Sequence, residues 1–263
     1  ESLDFKNSIV VGDKASDVGL GKALGAKTCL VRTGYGAETE TKAEIKADYV
    51  IDSLADLATQ FLPDKPDSTH ICQRRNDHFD QIKRIVDGFV SDCADDIGAA
   101  AHLLADGFRN GNKLLLCGNG GSAADAQHLA TEFVARLSAD RERVALPAIA
   151  LTTDTSFITA YTNDYSFDGV FDRQIQALGQ EGDILFAIST SGNSVSIVRA
   201  AERAKENGLT VVGFTGKNDS KLSALSDVCI KVPCSRTMRV QECHLMAYHI
   251  IADLVEEMLF GEA

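Results

Sequence analysis

The stretch Lys113 to Arg136, KLLLCGNGGSAADAQHLATEFVAR, decides the fold of this chain. It opens with a short apolar run of the kind that forms a strand buried in a parallel sheet. Asn119, Gly120 and Gly121 follow, and glycine tolerates both positive φ and close approach of other groups to the backbone. Ser122 is then a predicted N-cap. The pattern predicts a strand, a glycine turn and a helix whose N-terminal N–H groups can bind an anion such as phosphate.

Two polar residues of this predicted helix, His128 and Glu132, are four positions apart and therefore share one face. Such a pair is usually solvated or lies at an interface. An imidazole and a carboxylate at this spacing can also converge on one cation or one substrate proton. The local sequence leaves both interpretations open.

Composition excludes several classes of protein. The chain has 263 residues, 44% of them hydrophobic, which suffices for a packed core in one large domain or two smaller ones. It has neither an apolar run of about 20 residues, as a membrane span requires, nor the pattern of a signal peptide. A net charge of −12 argues against nucleic acid as a partner, because polyanion binding depends on a basic surface. A small phosphorylated substrate is compatible with this charge, since local N–H groups can bind it.

The seven cysteines are scattered singly, without a CxxC pair. This spacing predicts neither a disulfide framework nor a cysteine zinc site. Reduced thiols fit it better, and we therefore expect a cytoplasmic protein.

The N-terminal part of the sequence predicts a small α/β unit. Apolar runs at 8–11 and 27–32 indicate two strands, and ADYVIDSLADLATQFL at 47–62 follows them. This is little material for an independent doubly wound domain. The next run, PDKPDST, contains two prolines among small and charged residues and predicts a linker. The expected organisation is a first unit at 1–62, a linker at 63–70 and a second domain at 71–263.

Three motifs of the first unit, GDKASD at 12–17, LVRTGYG at 30–36 and ADYVIDSLADL at 47–57, resemble the C-terminal end of haloacid-dehalogenase-type phosphatases, particularly the heptose bisphosphate phosphatases. The resemblance implies that Asp13 helps to hold Mg²⁺ with Asp17 beside it, and a hard cation favours such oxygen ligands. The nucleophile motif of that family, DxDxT, does not occur in the sequence. We therefore expect a partial haloacid-dehalogenase-like segment that folds against something else, and no phosphatase activity from this chain.

The second domain begins with a helical region and continues with alternating strands and helices. Residues 71–109 carry apolar side chains at steps of three and four, which predicts two amphipathic helices. The predicted strands are Lys113–Cys117, Pro147–Thr152, Asp183–Ile188, Thr210–Phe214 and Val228–Val232, and Val240–Phe260 is a long last helix. Five short apolar strands separated by helices predict a parallel α/β sandwich.

A second turn rich in hydrogen-bond donors follows the strand at 183–188. STSGNS, residues 189–194, presents hydroxyl and backbone N–H groups to one point before a helix begins. Ligands of open α/β sheets bind at the carboxyl ends of strands. This location favours a phosphate site over a serine-rich N-cap without a ligand.

Four motifs of the second domain, CGNGGSAADAQHLATE at 117–132, TNDYSF at 162–167, AISTSGNS at 187–194 and RVQECHLMAYH at 239–249, resemble those of the phosphoheptose isomerases, a family of sugar isomerase (SIS) domains. The resemblance extends from Phe79 to Phe260. It implies an α/β fold in which a parallel five-stranded sheet is flanked by helices in a three-layer sandwich. SIS domains differ in function, so the fold alone implies little, whereas the paired HxxxE and QExHxxxxH motifs are specific.

By position in these motifs, the resemblance implies a substrate site, a catalytic pair and a zinc site. The catalytic pair is Glu132 and His249, and one Zn²⁺ per subunit is held by His128, Glu132, Gln241 and His249. Substrate contacts are implied for Asn119, Gly120, Gly121, Glu132, Asn163, Asp164, Ser189, Thr190, Ser191, Ser194 and Gln241, with the serines and Thr190 at the phosphate.

The zinc set has a geometric limit. Gln241 and His249 are eight residues apart in sequence, which is about 12 Å along an ideal helix. Both reach one ion only if Gln241 lies at a frayed helix start or if a neighbouring subunit contributes. Glutamine is also a rare zinc ligand, and its competing role is a hydrogen bond to a sugar hydroxyl. We assign His244, on the same helix, to packing or to support of the site.

The activity that the resemblance implies is an aldose–ketose isomerisation of sedoheptulose 7-phosphate and D-glycero-D-manno-heptose 7-phosphate through an enediol, in the supply of ADP-heptose for lipopolysaccharide. A carboxylate base and a proton donor near neutral pH suit the roles of Glu132 and His249. Two alternatives stay open: a non-catalytic SIS protein that binds phosphosugars or regulates replication, and an isomerase of another sugar phosphate. The family also implies a homotetramer with sites between subunits.

Overall fold

The computed structural model describes residues 4–42, 46–61 and 68–261, with the backbone alone at 58–61. The chain divides into two compact units, Glu1–Arg74 and Arg75–Ala263.

The predicted linker, 63–70, stays a prediction. Residues 63–67 lie outside the described part of the chain, but 68–70 form the start of a helix. Both prolines of PDKPDST precede Ser68, and the next proline is Pro147, so no proline breaks a helix that begins at Ser68.

The first unit contains a small parallel sheet. Its elements are β1 (Ile9–Gly12), α1 (Ala15–Ala23), β2 (Lys27–Val31), α2 (Gly36–Lys42), β3 (Tyr49–Ile51) and α3 (Leu54–Phe61). β2 lies between β1 and β3, and both pairs are parallel. Cys29, Val31 and Ile51 form its buried core. The two predicted strands of this unit are confirmed, with shifts of one residue at their ends.

A single helix of 42 residues, α4 (Ser68–Arg109), stands where the sequence predicted two helices, and that prediction is wrong. Gly88 and Gly98 lie inside the helix, and an interior glycine costs only about 1 kcal/mol relative to alanine. No proline occurs in this range. From Phe89 onward the apolar face of α4 is buried in the main core of the second unit.

The second unit is built on five strands with helices between them. After α4 come β4 (Leu114–Gly118), α5 (Gly121–Val134), β5 (Ala148–Ala150), α6 (Thr155–Asp164), α7 (Val170–Leu178), β6 (Ile184–Ile188), α8 (Val195–Glu206), β7 (Thr210–Thr215), α9 (Lys221–Leu225), β8 (Val228–Lys231) and α10 (Thr237–Phe260). The sheet is parallel throughout, in the order β5-β4-β6-β7-β8. The predicted five-stranded parallel sheet is confirmed.

Helices cover both faces of this sheet, because the side chains of a strand alternate between its faces. Leu114 and Leu116 of β4 pack in a core that includes α4, α5 and α10. Leu115 and Cys117 of the same strand pack in a second core with α7, α8 and α9. The unit is therefore the three-layer sandwich that the resemblance implied.

The strand order brings the two predicted ligand turns together. β4 and β6 are neighbours in register, with Gly118 opposite Ile188 at their carboxyl ends. The chain continues from β4 to β5 on one side, whereas β6, β7 and β8 lie on the other. Residues 119–121 and 189–194 thus leave the sheet at the point where strand order reverses, which is the usual ligand position in such sheets.

Two expectations from composition concern thiols and membranes. All seven cysteines are free. Of the helices in the described part of the chain, none combines the length and the apolar character needed to cross a bilayer.

Candidate active site

The turn after β4 depends on a backbone conformation that favours glycine. Gly120 has φ 57° and ψ −121° and occupies the N-cap position, so α5 begins at Gly121. The predicted N-cap, Ser122, is wrong: this residue lies buried in the first helical turn, where its N–H donates to the carbonyl of Asn119 at 3.1 Å. Glycine lets the chain turn into the helix before Ser122 is reached.

Asn119 connects the glycine turn to the helix that follows β6. Its Nδ2 donates to Oγ of Ser196 on α8 at 3.0 Å. Its Oδ1 is buried and has no hydrogen-bond partner in the described part of the chain. Because an unpaired buried acceptor is costly, this oxygen is suited to accept a hydrogen bond from a hydroxyl group of a bound ligand.

The second turn gathers hydroxyl groups at the start of α8. Ser194 occupies the N-cap position but makes no capping hydrogen bond with its side chain. Its Oγ instead accepts from Oγ of Ser189 at 3.2 Å. Between them the chain reverses at Gly192, with φ 63°, and Ser191 is exposed. A 12-residue helix starts here, and its dipole favours an anion such as phosphate at this end.

Helices α5 and α10 lie side by side and run in the same direction. Two contacts between them show this, since the later residue of α5 meets the later residue of α10. A Cβ built on Gly121 would come within 2.4 Å of Nε2 of Gln241. Two turns later Nδ1 of His128 lies 3.0 Å from Oη of Tyr248. This packing joins the HxxxE motif to the QExHxxxxH motif.

Three of the four predicted zinc ligands converge between these helices. Nε2 of His128 lies 2.9 Å from Oε1 of Glu132, and the ring centroids of His128 and His249 are 5.0 Å apart. One ligand atom from each of the three residues lies within 4.8 Å of the others, and no other such cluster of His, Cys, Asp or Glu side chains occurs among the described residues. Two imidazoles and one carboxylate form a donor set known from catalytic zinc sites, which keep a further position open.

The protonation of His249 suits this cluster. Burial is the main cause that lowers its pKa, the nearby His128 adds to the effect, and Glu132 opposes it. A lowered pKa keeps the imidazole neutral over more of the physiological range, and a metal ligand must be neutral imidazole.

Gln241 lies nearer the start of α10 than His249 does. It is the fifth residue of α10, which begins at Thr237, so the helix start is not frayed at this position. Its amide faces Gly121 at the glycine turn, about two turns from His249 along the axis. The position of Gln241 fits contact with a ligand in the turn, and its role as a fourth zinc ligand stays a prediction.

Asn163 and Asp164 are the last two residues of α6, and both are exposed. Within the described residues their side chains hydrogen-bond only to each other, from Nδ2 of Asn163 to Oδ1 of Asp164 at 2.9 Å. The predicted substrate residues at the two sheet turns are Asn119, Gly120, Gly121, Ser189, Thr190, Ser191 and Ser194. The contact of Asn163 and Asp164 with substrate stays a prediction.

Sequence reasoning missed Tyr248 and Asp125. Tyr248 is fully buried, and burial raises the pKa of its hydroxyl, with a further contribution from the charge of Asp125. Burial also raises the pKa of Asp125, while His128 and the Tyr248 hydroxyl oppose that shift. Asp125 precedes His128 by one helical turn, which was a signal in the sequence, but the tyrosine is recognisable only once the two helices are packed.

His244, which the sequence assigned to packing or support, is completely buried. Its Nε2 lies 3.2 Å from the carbonyl oxygen of Thr215, and its ring meets the edge of Phe214 with centroids 5.6 Å apart. Burial lowers its pKa to about 4. The residue thus packs α10 against the end of β7.

The aspartates of the first unit organise turns. Oδ2 of Asp13 accepts from the N–H of Tyr35 at 3.0 Å, and Oδ2 of Asp17 accepts from the N–H of Lys14 at 3.0 Å. In the described ranges, neither aspartate belongs to a group of three or more potential metal ligands. The magnesium role implied for Asp13 stays a prediction.

Comparison with known families assigns both units. The SIS domain family matches residues 77–216, and a family described as HAD-hydrolase-like matches residues 2–57. The resemblances read from the motifs are confirmed at this level.

Curated relatives and solved structures agree with the match of the second unit. A phosphoheptose isomerase of Aneurinibacillus thermoaerophilus is 56% identical over 153 residues, which is 58% of this chain and 76% of the relative. One from Roseiflexus sp. is 52% identical over 166 residues, 63% of this chain and 83% of the relative. The structure of a phosphoheptose isomerase from Neisseria gonorrhoeae is 40% identical and superposes with a TM-score of 0.67, over 71% of this chain and 99% of the other.

Proposed function

Since the chain belongs to the phosphoheptose isomerases of the SIS domain family, we propose that it interconverts sedoheptulose 7-phosphate and D-glycero-D-manno-heptose 7-phosphate. The observation that carries this proposal is the cluster of His128, Glu132 and His249, whose ligand atoms lie within 4.8 Å of one another. Two of the three residues lie on α5, the helix that begins at the glycine turn, so a phosphate at the turns and a carbonyl at the cluster can belong to one sugar.

The chemistry is a proton transfer between adjacent carbons. In the ketose-to-aldose direction, the Glu132 carboxylate takes a proton from C1 while His249 donates one to the carbonyl oxygen on C2, which gives the enediol. Glu132 then returns a proton to C2, and His249 takes the proton from the oxygen on C1. No atom is gained or lost, and both groups end as they began.

His128, Glu132 and His249 would hold the metal, for which we propose zinc, one ion per subunit. Zinc, when bound, polarises the carbonyl and stabilises the developing negative charge on oxygen. For Gln241, beside Gly121, we propose a hydrogen bond to a sugar hydroxyl. Its role as a fourth ligand would require the contribution of a neighbouring subunit.

The two turns would fix the phosphate end of the sugar. Hydroxyl groups of Ser189, Thr190, Ser191 and Ser194 and the starts of α5 and α8 provide donors without a basic surface, in keeping with the net charge of −12. Binding energy from the phosphate then orients the reacting carbons, which is worth several orders of magnitude in rate. We propose Asn163 and Asp164 as further substrate contacts.

We also propose a homotetramer in the cytoplasm. Several apolar side chains on α4 and α10 are exposed, among them Phe79, Val90 and Ile250 at 56%, 61% and 44%. A subunit interface would cover them. Light scattering after size exclusion tests the assembly, and a monomer would contradict it.

Conversion of sedoheptulose 7-phosphate to an aldoheptose phosphate by the purified chain tests the function. Activity should disappear with a chelator and return with zinc. If the folded protein shows no conversion under any of these conditions, a non-catalytic phosphosugar-binding role replaces the proposal. If it converts only a shorter sugar phosphate, the reaction class holds and the substrate is wrong. Phosphate release from a heptose bisphosphate would contradict the expected lack of phosphatase activity.

A further inference from the structure

His128 is held from its far side by a buried tyrosine. Nε2 of His128 faces Glu132 at 2.9 Å, whereas Nδ1 lies 3.0 Å from Oη of Tyr248. Tyr248 is completely buried, and its ring packs edge-on against both His128 and His249. With Nδ1 engaged by the tyrosine, Nε2 is the nitrogen that can bind a cation.

The direction of the hydrogen bond follows from this assignment. A neutral imidazole that binds a metal through Nε2 carries its one proton on Nδ1. The Tyr248 oxygen must then accept a hydrogen bond from this Nδ1–H group. The hydroxyl group of Tyr248 must therefore donate its own hydrogen bond to a different acceptor.

Asp125 supplies an acceptor at the right place. It precedes His128 by one turn of α5, so the two side chains share the face of the helix that meets Tyr248. Its Oδ2 is buried and has no hydrogen-bond partner among the residues that the structure describes. A buried carboxylate oxygen without a donor is costly, and a tyrosine hydroxyl turned toward it removes that cost.

We propose that Tyr248 and Asp125 are positioning residues that fix the tautomer of His128, in the order Asp125 carboxylate, Tyr248 hydroxyl, His128 Nδ1–H, with Nε2 free to bind the metal. The inference rests on the proposed function only in taking His128 as a metal ligand. Groups that orient a ligating histidine from behind contribute about 10-fold to 100-fold in metal affinity.

The reverse arrangement has a different consequence. If the Tyr248 hydroxyl donates to Nδ1, the ring proton lies on Nε2 and faces Glu132, and metal binding must first move it. Removal of the hydroxyl would then leave zinc affinity unchanged or raise it. The two arrangements therefore predict opposite results for the same variant.

The test is the affinity of the full chain for Zn²⁺ alone, measured by competition with a chromophoric chelator. Tyr248→Phe should weaken zinc binding about 10-fold or more. Asp125→Asn should weaken it in the same direction. Because Asp125 acts through Tyr248, the double variant should lose no more affinity than Tyr248→Phe alone. Tyr35→Phe, which removes an exposed hydroxyl in the first unit, is the matched control and should bind zinc like the wild type.

Circular dichroism and thermal unfolding verify that each variant is folded. Folded Tyr248→Phe with wild-type zinc affinity would overturn the inference, as would a wild-type chain that binds no zinc. If Tyr248→Phe does not fold, Asp125→Asn decides alone: undiminished affinity overturns the proposal. If zinc binding depends on Tyr248 but the chain has no isomerase activity, the proposed function is wrong and this inference still holds.

Discussion

Nη2 of Arg143 donates to the backbone carbonyl oxygen of Glu132 at 2.6 Å. The same guanidinium donates from Nη1 to the carbonyl of Phe133 at 2.8 Å and from Nε to Oε1 of Glu256 at 2.7 Å. Glu256 lies on α10, the helix that carries His249. Arg143 thus ties the end of α5, where the proposed base is located, to the helix that carries His249, the proposed proton donor.

The loss of this arginine should destabilise the second unit. The side chains of Arg143 and Glu256 are 1% and 5% exposed, so Arg143→Met leaves a buried carboxylate unpaired. Breaking a buried pair in this way costs about 3–5 kcal/mol. Urea unfolding of the variant measures the cost. Arg141→Met is the matched control, because Arg141 and Glu257 form a pair that is 32% and 60% exposed, and such surface pairs contribute about 1 kcal/mol or less. Equal losses in the two variants would contradict the role of Arg143.

Replacement of the proposed base should separate chemistry from binding. Glu132→Gln keeps the size of the side chain but cannot take a proton, so kcat should fall at least about 100-fold. Binding of the sugar phosphate, which we propose to depend on the turns, should stay close to that of the wild type. Steady-state kinetics and equilibrium binding measure the two effects.

The control for this substitution is Glu202→Gln, on the exposed side of α8. Its kinetics should be like those of the wild type. A Glu132→Gln variant that retained its kcat would refute the assignment of the base.

Alanine at two adjacent glycine positions, 120 and 121, should have different effects: mainly a loss of stability at the first and mainly a rise in KM at the second. Gly120→Ala forces φ 57°, ψ −121° on a residue with a Cβ, although nothing lies within 4 Å of that Cβ. The cost is therefore backbone strain, about 1–3 kcal/mol of stability. Gly121→Ala places a methyl group 2.4 Å from Nε2 of Gln241, the end of a flexible side chain that can move aside. Here stability should change less, and KM for the sugar phosphate should rise.

Thermal unfolding and kinetics on both variants separate these effects. Gly98→Ala in α4 is the control, since nothing surrounds its Cβ and alanine favours a helix by about 1 kcal/mol. A Gly121→Ala variant with unchanged KM would remove Gln241 from the substrate site.

Local pattern was sufficient for all five strands of the larger sheet, for two of the three strands of the smaller one and for the two turns, because apolar runs and glycine positions report directly on burial and on φ. It was insufficient at helix ends and breaks. Ser122 has the chemistry of an N-cap, but the conformation of Gly120 starts the helix earlier. Apolar side chains at steps of three and four suggested two helices in 71–109, whereas α4 is continuous through this range.

The candidate site, too, could be predicted from the sequence only in part. Spacing alone placed His128 and Glu132 on one face, but His249 joined them only through the family resemblance, since no periodicity specifies which face of α10 meets α5. The contact between Tyr248 and His128 depends on that packing and was therefore not foreseen. For Gln241, the predicted distance along the helix agrees with its position beside Gly121.

His244 should make stability depend on pH. Its folded-state pKa is about 4, below the ordinary value of 6.5, so between these values the unfolded chain binds a proton that the folded chain does not. The free energy of unfolding should therefore be at its full value above pH 6.5 and fall as the pH drops toward 4, by at most about 1.4 kcal/mol per pH unit. Below pH 4 both states are protonated and this contribution levels off.

His244→Gln should remove that dependence. The glutamine amide can still donate to the Thr215 carbonyl, as Nε2 of His244 does at 3.2 Å, but it does not titrate. The variant should cost stability near pH 7.5, where the histidine packs without a charge, and the difference from the wild type should shrink or reverse by pH 5. Urea unfolding across this range measures it, with His102→Gln on the exposed side of α4 as the control for the substitution itself. A constant difference between wild type and His244→Gln at all pH values would mean that His244 is protonated equally in both states, and that α10 does not seal it against the end of β7.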